Sequence, residues 1–261
     1  MLYFVLKKSK FYTTFGSDEP YVMKKLFFVV KLFMLSALGA QAQDWPNLAK
    51  YQADNTRLMA EYNPGNRVVF MGNSITEFWK TKHPVFFENN TNYIDRGISG
   101  QTTPQMLLRF RQDVINLKPA VVTILAGTND IAGNTGPATL EQIYGNIISM
   151  AQLAQVYHIK VILSSILPVY DYPWKKGIEP AGKIVALNNM LKTFAAKNNM
   201  YYVDYHSLMK DDRDGMQAAL AEDGVHPNVA GYTIMENALQ PIIKKALAQP
   251  ANHINNKKHG R

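Results

Sequence analysis

Short apolar runs alternate with longer segments whose apolar residues recur at helical spacing. Arg67-Val68-Val69-Phe70-Met71 reads as a buried strand, as do the runs over 120–125 and 160–164. Tyr93-Ile94-Asp95 is a weaker strand, and Tyr201-Tyr202-Val203-Asp204 is the fifth. Helical patterns cover 47–62, 104–117, 139–157, 180–197 and 228–247. Asn63-Pro64-Gly65-Asn66 breaks the first of these. Thr103-Pro104 predicts a cap followed by Pro in the first turn of the second. Strands separated by helices predict a parallel sheet covered on both faces, a three-layer α/β/α sandwich with right-handed crossovers. In such sheets the working residues sit on loops beyond the carboxyl ends of the strands.

The pattern changes near the start of the chain. Met23-Lys24-Lys25 precedes an apolar stretch interrupted by Lys31, and Ala40-Gln41-Ala42 follows. A positive segment, an apolar segment and a small-x-small site describe a signal peptide over Met23–Ala42, with cleavage before Gln43. The stretch is too short and too interrupted to span a bilayer, so no stable membrane anchor is expected. Residues 1–22 precede this leader, which makes Met23 a candidate initiator. The expected organisation is a removed segment 1–42, one domain over 43–249, and a frayed tail over 250–261. A periplasmic or secreted location follows.

The 261-residue chain has a net charge of +8, which suggests a polyanion partner until the charge is located. Six Lys face only Asp18 and Glu19 in 1–42, and Lys257, Lys258 and Arg261 crowd the tail. The domain between is nearly neutral and carries no footprint for nucleic acid. There is no Cys, which excludes disulfides, thiolate catalysis, Cys-based metal sites and a lipid-modified Cys anchor.

The unusual residues gather at one edge of the predicted sheet. Gly72-Asn73-Ser74-Ile75-Thr76 follows the first strand, and Gly97-Ile98-Ser99-Gly100-Gln101-Thr102-Thr103 the second. Gly127-Thr128-Asn129-Asp130 follows the third, and Asp223-Gly224-Val225-His226-Pro227 comes just before the last helix. A Ser hydroxyl is a weak nucleophile and needs a neighbouring base. His226 can take the Ser74 proton and return it to a leaving group, while Asp223 holds the ring and stabilises its charged form. A tetrahedral oxyanion needs donors aimed at it; the candidates are the N–H groups of Ser74 and Gly100 and the side-chain amide of Asn129. At Gly100 the missing side chain permits close backbone approach.

These four blocks, in this order and spacing, resemble those of the GDSL, or SGNH, hydrolases. The resemblance runs from about Arg67 to Leu239. Ser74, Gly100, Asn129 and His226 match the four name-giving residues, and Asp223 the triad acid. The resemblance implies a flavodoxin-like sandwich on five parallel strands and ester hydrolysis without metal or cofactor. One position departs from the family pattern, which has Asp where Asn73 stands; Asn73 is expected to keep a local hydrogen-bonding role. Thr76 breaks the G-x-S-x-G elbow, which argues against the α/β-hydrolase fold.

Other residues have plainer readings. His83, His158, His206, His253 and His259 lack matching partners and read as surface or structural. Asp211-Asp212-Arg213-Asp214-Gly215 resembles part of a calcium loop but lacks its spacing and terminal Glu, so it reads as a solvated loop. Phe86 and Phe87 read as core. Trp79 on the first crossover, and Tyr170, Tyr172 and Trp174 after the fourth strand, are candidates for a substrate rim. The expected activity is therefore an exported serine esterase that removes short acyl groups, acetyl foremost, from a small-molecule or carbohydrate ester. A lysophospholipase or thioesterase-like lipid acylhydrolase is the alternative enzyme, and a carbohydrate-binding module without catalysis the alternative outside enzymes. Oligomeric state stays open.

Overall fold

Val, Ile and Leu fill the strand runs because both faces of a central parallel strand are covered, leaving no reason for polar alternation. The computed structural model describes residues 44–63 and 65–249. Its five strands are β1 (Val68–Gly72), β2 (Tyr93–Gly97), β3 (Val121–Leu125), β4 (Lys160–Ser164) and β5 (Tyr201–Val203). All pair in parallel, in the order β2-β1-β3-β4-β5. The helices are α1 (Gln52–Ala60), α2 (Ser74–Lys82), α3 (Val85–Glu88), α4 (Thr103–Asp113), α5 (Thr128–Ile131), α6 (Leu140–Val156), α7 (Pro180–Lys197), α8 (Tyr205–Met209) and α9 (Val229–Ala248). The expected leader and tail lie outside the described residues. Among the described residues no helix is long and apolar enough to cross a membrane.

Strand pleating divides the core in two. Val69, Met71, Val122, Ile124, Val161 and Leu163 face α1, α4, α6 and α7. Val68, Phe70, Val121, Leu125, Ile162 and Val203 face α2, α3, α8 and α9. On the second face Phe70 meets the rings of Trp79, Phe86, Phe87 and Tyr93 at centroid distances of 5.2–5.9 Å. The three-layer sandwich is as the pattern predicts, and the long elements lie within a few residues of their predicted bounds. The first helix is shorter than expected: residues 48–51 form turns and the helix ends at Ala60. Four short helices, α2, α3, α5 and α8, add to the predicted set; α3, α5 and α8 have four or five residues, too few to show an apolar period. The cap before α4 is Thr102 rather than Thr103; Gln105 Oε1 accepts the Thr102 N–H at 3.0 Å.

Connections from β1 run to opposite sides, to β2 on one and, through β2, to β3 on the other. This reversal is the topological switch point, where loops diverge and leave a crevice. Residues after β1 and β3 therefore flank it. Gly97 makes the crevice tight: a Cβ there would sit 2.2 Å from the Glu77 backbone nitrogen, so α2 can approach β2 only over a glycine.

Asp95, buried on β2, receives the Gly97 N–H at 2.7 Å. Burial pushes its carboxyl up to about 7, against the pull of that hydrogen bond. The unfolded chain ionises near pH 4, so between about pH 4 and 7 it releases a proton that the folded chain keeps. Stability therefore falls as pH rises through this window and levels off above it. Asn accepts the same N–H without the charge. Asp95→Asn should raise the melting temperature by several degrees at pH 8 and by much less at pH 4. An equal shift at both values, read by calorimetry, would refute the burial argument.

Candidate active site

β1 ends at Gly72, and Asn73 caps α2 by accepting the Ile75 N–H at 3.0 Å through its side-chain oxygen. The cap needs an acceptor oxygen, which Asn supplies as well as Asp. Ser74 is thus the first residue of α2, where a helix leaves backbone N–H groups without intrahelical partners. Its Oγ lies 2.9 Å from His226 Nε2.

His226 is presented by a loop folded around one carboxylate. Asp223 Oδ1 accepts the N–H groups of Val225 and His226 at 2.9 and 2.8 Å, and Oδ2 lies 2.7 Å from His226 Nδ1. One oxygen shapes the backbone while the other orients the ring. An ionised carboxylate only accepts, so Nδ1 carries the proton and Nε2 is free to accept from Ser74. Burial pushes the Asp223 carboxyl up, but the hydrogen bonds from His226 and Val225 outweigh it and hold it below the usual carboxylate range. Phe78 and Trp174 flank the imidazole at 5.4 and 6.0 Å between centroids.

The opposite wall is the loop after β2. Gly100 has φ +78° and open space where a Cβ would stand. The left-handed backbone by itself requires a glycine here. Among the described residues its N–H meets no protein acceptor. Asn129, buried at the start of α5, donates one amide proton to the Gln101 carbonyl at 3.0 Å and keeps its second. Glu77 clamps the same loop, accepting from Ser99 N and Oγ at 2.7 and 2.6 Å and from Lys50 at 2.7 Å. Asp130 accepts from Thr103 N and Oγ1; burial pushes its carboxyl up to about 6 against those bonds.

The rim residues separate. Trp174 is 46% exposed beside His226, and Tyr170 is 54% exposed against Arg213. Trp79 is not on a rim: it is 2% exposed, stacked between Phe86 and Tyr232, with its indole N–H on Glu236 at 2.8 Å. Tyr172 is buried too, its hydroxyl donating to the Thr128 carbonyl at 2.9 Å. Both aromatics satisfy their polar atom inside the protein, which removes the need for a wet edge. His83 has a partner after all, Glu236 at 2.6 Å, and His206 is buried. A groove of about 860 Å³ runs along β2 past Tyr51, Lys80 and Arg96 and includes neither Ser74 nor His226. A smaller one, about 350 Å³, adjoins Gly100 and is lined by Trp45, Asn47, Gln105 and Asn134. Glu77 and Arg109 carry no signal in the sequence, because nothing local distinguishes a buried polar network from a solvated helix face; Gln101 and Asp130 stand inside the blocks after β2 and β3, and only the structure gives them partners.

The model of the GDSL-like lipase/acylhydrolase family matches residues 70–234. A crystal structure of an acylhydrolase candidate from Bacteroides fragilis NCTC 9343 shares 49% identity and a TM-score of 0.76, covering 78% of this chain and 99% of that one. A GDSL-like lipase from Bacteroides thetaiotaomicron VPI-5482 shares 47% identity and a TM-score of 0.74, covering 77% and 98%. An acetylxylan esterase of Geobacillus stearothermophilus is 25% identical over 207 residues, 67% of this chain and 92% of that protein.

Proposed function

We propose, from the premise that this chain belongs to the GDSL-like lipase/acylhydrolase family and hydrolyses esters, that Ser74, His226 and Asp223 form its catalytic triad. The observation that carries this reading is the continuous relay from Asp223 through His226 to Ser74, at 2.7 and 2.9 Å. Ser74 Oγ attacks the ester carbonyl carbon as its proton passes to His226 Nε2. The carbonyl oxygen becomes an oxyanion held by the Ser74 and Gly100 N–H groups and the Asn129 amide. Collapse breaks the bond to the alcohol, which leaves with the proton from His226. Water then attacks the acyl-Ser74 with His226 as base, and the acid departs.

The substrate we assign is an acetylated carbohydrate outside the cytoplasm. Export rests on the leader pattern of Met23–Ala42, which would leave a catalytic domain over 43–249 and a tail over 250–261. Likeness to an acetylxylan esterase over 92% of that protein's length supports the acetyl-sugar assignment. So does Trp174: His226 protonates the departing alcohol, and Trp174 presents half its surface beside that ring, where a sugar could stack.

An ester panel of increasing acyl length, with an acetylated oligosaccharide included, tests the assignment. Acetyl esters should be preferred. Trp174→Ala should raise KM for the acetylated oligosaccharide about fivefold to tenfold and leave a small aryl acetate nearly unchanged, the worth of one aromatic contact. Preference for long acyl chains would replace the carbohydrate by a lipid substrate. Equal effects of Trp174→Ala on both acetates would remove it from the sugar site.

A further inference from the structure

Arg109 lies on α4 with none of its surface exposed. Its guanidinium makes three hydrogen bonds in three directions. Nη2 donates to the Gly72 carbonyl at 3.0 Å, two residues before Ser74. Nε donates to Gln101 Oε1 at 2.6 Å. Nη1 pairs with Asp113 Oδ2 at 2.9 Å. Gln101 continues the chain, since its own carbonyl accepts the Asn129 amide, and its Nε2 donates to the Pro46 carbonyl at 2.7 Å. Asp113 in turn holds Asn55 at 2.6 Å, and Asn55 Oδ1 accepts from Arg96 at 2.8–3.0 Å.

We propose that Arg109 and Gln101 are positioning residues for the oxyanion site, tying the Ser74, Gly100 and Asn129 loops to one buried guanidinium. The inference rests on the reading of Ser74, Gly100 and Asn129 given above. The three donors come from three separate strand-end segments; the Ile98 N–H on the Gly72 carbonyl at 3.2 Å and Thr103 on Asp130 join these segments on either side of Gly100 and Gln101, and between those ties the spacing rests on the buried side chains. Arg109 touches the first loop at Gly72 and the second at Gln101; through the Gln101 carbonyl it fixes the Asn129 amide of the third. A buried ion pair is weak as a source of stability, since an apolar pair of similar size often serves as well. What an apolar pair cannot do is hold a strand-end carbonyl and a side-chain amide at fixed separation. A planar guanidinium can, and a lysine cannot reach all three acceptors at once.

The test uses Arg109→Lys, which keeps the charge opposite Asp113, and Gln101→Met, which keeps the shape but removes the acceptor. Gln101→Glu restores an acceptor for Nε. Each variant is titrated with a fluorophosphonate probe so that rates refer to intact sites. Arg109→Lys and Gln101→Met should lower kcat per labelled site by about tenfold or more with KM within about threefold, as misplacement of donors by a fraction of an ångström does. Gln101→Glu should recover most of it. Gln101→Met combined with Asn129→Ala should cost far less than the product of the two single losses.

A merely structural role would instead lower the labelled fraction and leave kcat per site at the wild-type value, and that result overturns the proposal. Fully multiplicative losses in the double variant overturn it as well. Ser74→Ala and Asn129→Ala, measured alongside, keep the premise separate. If either retains full activity, the underlying site reading fails. If both lose activity while Gln101→Met stays at the wild-type rate, only the positioning role fails.

Discussion

Ser74→Ala is expected to abolish turnover, by roughly 10⁴-fold to 10⁶-fold, while the protein stays folded. A serine just after a strand is ordinarily a helix cap, and losing a cap would confuse the result. Here Asn73 holds the cap and Ser74 is one residue further in, so the hydroxyl has no structural duty at the helix end. Among the described residues its one side-chain hydrogen bond is to His226 Nε2. Removing Oγ leaves a small space at a site that is 6% exposed, and the melting temperature should move by no more than about 2 °C. A fluorophosphonate probe should label the wild type at Ser74 and the variant nowhere. Full activity in the variant, or labelling at another serine, would remove Ser74 as the nucleophile.

Asp223→Asn should reduce kcat by about 10³-fold to 10⁴-fold through the tautomer of His226. The amide cannot choose its orientation freely. Its oxygen must stay on the Val225 and His226 N–H groups, which Asp223 Oδ1 now accepts. The NH₂ group is then forced toward His226 Nδ1, where it can only donate. Nδ1 becomes the acceptor, Nε2 carries the proton, and the ring can no longer take one from Ser74. The loop itself should keep its shape. The Asp223 side chain is 41% exposed, so water can partly support the imidazole and the loss should fall toward the smaller figure. Asp223→Ala frees the loop as well as the ring and should be both slower and less stable. If Asp223→Asn retains near-wild-type kcat on an acetyl ester, Asp223 only shapes the loop.

Wherever signals were local, this protein was readable from its residues alone. Val68 to Met71 or Val121 to Leu125 can hardly be anything but buried strand, and Thr139 before Gln142 starts α6 where the sequence places it. Ser74, Asn129, Asp223 and His226 stood out because a parallel sheet delivers every strand end to one edge; the topology multiplies four weak signals into one. Asp223 and His226 are also three residues apart, so their pairing is a property of a single turn. Burial of the aromatics was not readable in this way. Trp79, Tyr172 and Trp174 are similar in kind, yet the first is sealed by Phe86 and Tyr232, the second by Thr128, and only the third meets solvent. Which ring is covered depends on what α9 and α5 bring over it, from 153 and 44 positions away in the cases of Tyr232 and Thr128. The same holds for Arg109. Asp113 stands one turn further along α4, but Gly72 and Gln101 become its partners only when α4 docks under the ends of β1 and β2. Local propensity cannot anticipate that choice, because the burial of a charge depends on acceptors that chain folding alone assembles.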